Sequence, residues 1–135
     1  MTAVTESSAL TSVQNIVADA LALDLDEVTP ESTLFVDLGT ESIDLLDFLF
    51  RIEQELGVKI QAAQLSEIIQ GGIPDEEFGT PEGMVSSVGL AQLKKTMPQI
   101  DEEALAGKLP AEDVMNHFTV GNLAAIVAAH GADRS

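Results

Sequence analysis

Apolar residues return every three or four positions along three stretches of this chain, the period of a helix with one buried stripe. In the first, Leu10, Val13, Ile16, Val17, Ala20 and Leu21 predict a helix from about Ser8 to Leu23, with Ser7 or Ser8 as its N-cap. The second begins within a residue or two of Ser42 and runs to Leu56, where Gly57 offers a left-handed stop. Val58 and Ile60 then pack back on the core. The third opens at Thr119-Val120-Gly121-Asn122 and continues to about His130, with Leu123, Ile126 and Val127 facing inward.

The intervening segments read differently. Asp24 to Thr40 predicts a long ordered loop, because Thr29-Pro30 breaks helix. Leu25, Val28, Leu34, Phe35 and Leu38 are placed to pin it to the core. From Gln61 to Phe118 the pattern predicts a helix to Gln70 stopped by Gly71-Gly72, then a loop through Pro74, Gly79, Pro81 and Gly83. A helix from Ser87 to Met97 ends at Pro98. A short one follows near Asp101 to Ala106, and another runs from Pro110 to about Phe118. The fold class is all-α, a single domain over residues 1–135. Its core spans 7–60 and 119–131, a helical insertion fills 61–118, and Gly71 to Gly83 is its most mobile stretch.

At 100° per residue the second helix separates into three sectors. Leu45, Leu49, Ile52 and Leu56, with Phe48 beside them, form the core side. Glu41, Asp44, Asp47 and Glu55 make a mostly acidic stripe interrupted by Arg51. Ile43, Leu46 and Phe50 make a second apolar stripe, which either meets partners or is covered by the insertion.

Charge narrows the function. The 135 residues hold 23 acidic and 6 basic side chains, a formal net charge of −17. Such a surface repels nucleic acid and anionic membranes and attracts basic partners. The chain has no cysteine, which excludes disulfides, thiolate catalysis and cysteine-ligated zinc. Asp24-Leu25-Asp26 lacks the glycine and glutamate spacing of a calcium loop, so no metal is expected. Met1 to Ala9 lacks the basic and apolar regions of an export signal, and no apolar run is long enough to span a bilayer. A cytoplasmic monomer is the expectation. His117 and His130 accompany no nucleophile motif, so no catalytic residues are assigned.

The chemistry gathers at Asp37-Leu38-Gly39-Thr40-Glu41-Ser42-Ile43-Asp44. A glycine-containing acidic turn delivers Ser42 to a helix start, whose N–H groups and positive dipole end suit a phosphate. The stretch resembles the 4′-phosphopantetheine attachment site of acyl carrier proteins, usually written Asp-Leu-Gly-x-Asp-Ser-Leu-Asp. Glu41 stands for the aspartate before the serine and Ile43 for the leucine after it. Thr119-Val120-Gly121-Asn122 is similar to the Thr-Val-Gly-Asp that commonly opens the last helix of such carriers.

The resemblance implies an acyl-carrier-like four-helix bundle, with an enlarged insertion between the second and last helices. It implies that Ser42, set among Gly39, Thr40 and Glu41, receives phosphopantetheine from coenzyme A and holds an acyl group as a thioester. It implies no catalysis by the chain itself. Implied partners are a phosphopantetheinyl transferase and acyl-loading, condensing or acyltransferase enzymes of fatty-acid, lipid or polyketide-type metabolism. Their basic surfaces would meet Glu41, Ile43, Asp44, Leu46, Asp47, Phe50 and Glu55. The length is similar to that of specialised bacterial acyl carriers. The insertion, rich in Leu65, Ile68, Ile69, Val85, Val88, Leu90, Leu93 and Met97, would shelter the acyl chain, add a recognition surface, or simply extend the core. Two other readings stay open: an unmodified interaction module docking through the second helix, and a peptidyl carrier, whose serine more often follows Gly-Gly-His-like text.

Overall fold

The first apolar stripe folds into α1 (Glu6–Leu21), burying Ala9, Val13, Ile16, Val17 and Ala18 and half-burying Leu10, Ala20 and Leu21. This computed structural model describes residues 6–133, so the reading of Met1 to Ala9 falls partly outside the described residues. Ser7 and Ser8 lie inside α1 rather than at its N-cap, because the helix starts by Glu6. It also stops two residues earlier than expected. Ala22 turns to φ 57°, its N–H donates to the Asp19 carbonyl, and the Leu23 N–H reaches back 2.8 Å to the Ala18 carbonyl. That six-to-one closure is a Schellman ending, with alanine in the seat glycine usually takes.

A short 3-10 turn (Leu25–Glu27) leads into the loop. Val28 and Leu34 are buried and Phe35 and Leu38 half-buried, but Leu25 is 50% exposed. The loop is laced to the start of the last helix instead. Leu34 N–H donates to the Phe118 carbonyl (3.0 Å), Val120 N–H to Ser32 (3.0 Å) and Gly121 N–H to Pro30 (2.9 Å). A side chain at Gly121 would come within 3.1 Å of the Pro30 oxygen.

Next comes α2 (Ser42–Leu56), closed by Gly57 at φ 69° with its N–H on the Glu53 carbonyl. Phe48, Leu49 and Ile52 are buried; Leu45 and Leu56 are only half-buried, at the edges of the stripe. Val58 and Ile60 are buried around exposed Lys59. At the far end α7 (Val120–Asp133) runs beyond His130 and buries Leu123, Ala124, Ile126 and Val127. A reciprocal pair starts it. Thr119 N–H donates to Asn122 Oδ1 (3.0 Å) and Asn122 N–H to Thr119 Oγ1 (3.1 Å). α1 packs against both α2 and α7. These elements form one unit, reaching to Ala62 and resuming at Phe118.

Residues Ala63–His117 form a second unit. It contains α3 (Ala62–Gln70) apart from that helix's first residue, α4 (Asp75–Phe78), α5 (Ser87–Thr96), α6 (Glu102–Leu105) and a 3-10 helix (Ala111–His117). The sequence reading makes 75–78 loop and expects an ordinary helix after Pro110; the structure gives a helical turn and a 3-10 helix. Gly71 and Gly72, at φ 68° and 76°, end α3. Ser86 Oγ caps α5 by accepting from Gly89 N–H, and Asp101 Oδ1 caps α6 by accepting from Glu103 and Ala104 N–H. Leu65, Ile69, Phe78, Val85, Leu90, Leu93, Met97, Ile100 and Leu109 are buried. All regular elements among the described residues are helical; pairing is limited to isolated bridges such as Thr33 with Thr119.

Candidate prosthetic-group attachment site

The approach to Ser42 is set by short-range hydrogen bonds. Thr33 N–H donates to Asp37 Oδ2 (2.9 Å), and Asp37 N–H donates to Thr33 Oγ1 (3.0 Å). Leu38 N–H adds a bond to the Thr33 carbonyl. This clasp turns the chain so that Gly39 takes φ 66°, with open space where a side chain would stand. Glycine is favoured there by backbone conformation, not by crowding. Thr40 then tucks inward, 5% exposed, with its N–H on the Leu34 carbonyl (2.9 Å). Its Oγ1 is buried without a hydrogen-bond partner among the described residues.

Glu41 is extended, at φ −103° and ψ 168°, and is the N-cap of α2. Its N–H donates to Asp44 Oδ2 (2.9 Å), and its carbonyl accepts the helix bond from Leu45 N–H. Ser42 is therefore the first residue of a fifteen-residue helix, as expected from the sequence. The first-turn amides and the dipole of α2 point their positive end at this position. Open space at Gly39 and an exposed Glu41 flank it. These features suit a phosphodiester on the serine oxygen.

The stripe of Ile43, Leu46 and Phe50 is left in solvent, at 71%, 54% and 62% exposure. Glu55 is exposed, while Asp44 and Asp47 are half-buried. Two features add to the sequence reading. Val36, in the loop before Ser42, is 61% exposed. Arg51 is engaged on two sides: Nε lies 3.2 Å from both Asp47 carboxylate oxygens, and Nη1 lies 3.2 Å from Asp19 Oδ2. The i, i+4 spacing of Asp47 and Arg51 signals the first pair; nothing local signals Asp19, which belongs to α1.

Residues 11–70 match the family described as "Phosphopantetheine attachment site". Over 73 residues the chain is 40% identical to the acyl carrier protein AcpXL of Brucella melitensis biotype 1, covering 53% of this chain and 78% of that protein. The chain belongs to the acyl carrier protein family. A similar relative is the AcpXL acyl carrier protein of Rhizobium meliloti, 37% identical over 67 residues (49% of this chain, 70% of that one). Another is the acyl carrier protein of Thermotoga maritima, 41% identical over 56 residues (42% and 69%). No solved structure matches.

This carrier is thus a long, all-helical member with helices beyond the matched segment, which ends where α3 ends. The family's prosthetic group is phosphopantetheine, and its members carry acyl groups without catalysing their chemistry. Among the described residues no helix is long and apolar enough to cross a membrane.

Proposed function

We propose that Ser42 is the attachment point for 4′-phosphopantetheine in this carrier. The observation that carries this reading is the position of Ser42 as the first residue of α2, immediately after the Glu41 cap and inside the matched segment. When bound, the group supplies a thiol that holds an acyl chain as a thioester. The protein's own contribution is positional. Gly39 and the Thr33–Asp37 clasp set the turn, and the N-terminus of α2 faces the phosphate charge.

Docking of partner enzymes falls to α2. Ile43, Leu46 and Phe50 offer an apolar contact, flanked by Glu41, Asp44, Asp47 and Glu55 for basic groups. Exposed ion pairs contribute only about 0–1 kcal/mol each, which suits a carrier that must bind and leave several enzymes. The partners are a phosphopantetheinyl transferase and enzymes that load, extend or transfer acyl groups in fatty-acid, lipid or polyketide-type metabolism.

The absence of cysteine gives a clean assay. After treatment with coenzyme A and a transferase, thiol titration should read one equivalent per chain. Untreated protein and treated Ser42→Ala should read none. A thiol equivalent on treated Ser42→Ala, or none on treated wild type, would overturn the assignment.

A further inference from the structure

The guanidinium of Arg51 occupies the middle of the face that the proposed function uses for docking. Arg51 is the sole basic residue of α2, and its side chain is 37% exposed. Its Nε lies against both oxygens of Asp47, and its Nη1 holds Asp19 on α1. Asp47 therefore already has a cation at 3.2 Å, and any incoming lysine or arginine must compete with it. Among the described residues Glu41 and Glu55 are exposed and stand in no ion pair, while Asp44 accepts the backbone N–H of Glu41.

We propose that Arg51 is a specificity-determining residue of this carrier's docking face, an inference that rests on the attachment reading above. It divides the acidic stripe into two ends, Glu41 with Asp44 near the serine and Glu55 near the far terminus. At 1.5 Å per residue, Asp44 and Glu55 lie about 16 Å apart along the helix. A partner matched to this face carries basic groups at that separation and no cation opposite Arg51. A partner whose strongest basic group falls mid-helix is disfavoured by charge repulsion over a distance shorter than the screening length, about 10 Å at 0.1 M salt. The bridge to Asp19 orients the guanidinium, while the Asp47 pair does the masking.

The test uses the full chain, coenzyme A and a phosphopantetheinyl transferase whose docking surface sets a basic group opposite the middle of α2, at low and high salt. Arg51→Gln and Arg51→Glu should lower KM at low salt by about threefold to tenfold, with kcat within about twofold, because rim charges act mainly on encounter. The difference should vanish in high salt. Arg51→Lys, which keeps the charge, should stay near wild type. Unchanged or raised KM in both neutral and reversed variants overturns the proposal, as does a gain that survives high salt. Wild type that is never modified removes the attachment reading and this inference with it. Normal wild-type modification with indifferent Arg51 variants removes this inference alone.

Discussion

The backbone amide of Glu41 donates to the carboxylate of Asp44 across 2.9 Å, closing the first turn of α2 over Ser42. Asp44 therefore holds the turn as well as carrying charge, and two substitutions separate the roles. Asp44→Ala loses the acceptor and should cost about 1 kcal/mol in urea unfolding, the usual worth of a helix-start cap. Asp44→Asn keeps an acceptor oxygen and should stay within a few tenths of wild type. Equal losses in the two variants would show that charge, not the hydrogen bond, stabilises the turn.

Thr40 presents the opposite case, a buried hydroxyl that gains nothing. Among the described residues its Oγ1 has no hydrogen-bond partner, while its N–H is satisfied by Leu34. Thr40→Val keeps the branched shape and removes the desolvated oxygen. Thermal unfolding should show a gain of about 1 kcal/mol, with modification of Ser42 unaffected. A loss of stability would mean that the hydroxyl is paired after all.

Ala22 is exposed at φ 57°, where an L-residue is strained by roughly 1–2 kcal/mol. Ala22→Gly relieves that strain but adds freedom to the unfolded chain. The net expectation is a gain of roughly 0.5–1 kcal/mol. A destabilised variant would contradict the left-handed ending of α1.

Gly89 reverses the usual advantage of alanine in a helix. A Cβ there would lie 2.6 Å from the Phe78 carbonyl oxygen and 2.7 Å from Val85 Cγ1. Alanine's propensity advantage of about 1 kcal/mol is outweighed by overpacking, so Gly89→Ala should destabilise the second unit by about 1–3 kcal/mol. Faster amide exchange in α5 would register the change; unchanged or slower exchange would refute the close approach.

The apolar residues of that unit also bear on the acyl chain. Leu65, Ile69, Val85, Leu90, Leu93 and Met97 are already buried, with Ile68 half-buried and Val88 exposed. Side chains already packed have little surface left to offer a ligand. Chemical shifts across a series of acyl lengths should therefore leave 65–117 unmoved. Length-dependent shifts there would support the sheltering role.

Helix existence was legible because it depends on local periodicity and stop residues. Gly57 ends α2 where expected, and Ser42 begins it. The start of α1 was not, since Ser7 and Ser8 are good caps whose preference yields once the helix extends to Glu6. Leu25 was misplaced because loop residues follow no period that assigns a face. At the site, the Asp47–Arg51 pair follows from spacing. The Asp19 contact and the pairing of Pro30 with Gly121 arise only when distant segments meet.

The central claim is tested most directly by the intact mass of the chain after incubation with coenzyme A and a competent transferase. Wild type should gain a single phosphopantetheine increment, and Ser42→Ala should gain none. An increment that persists in Ser42→Ala, or that never forms on wild type with several competent transferases, would contradict the account.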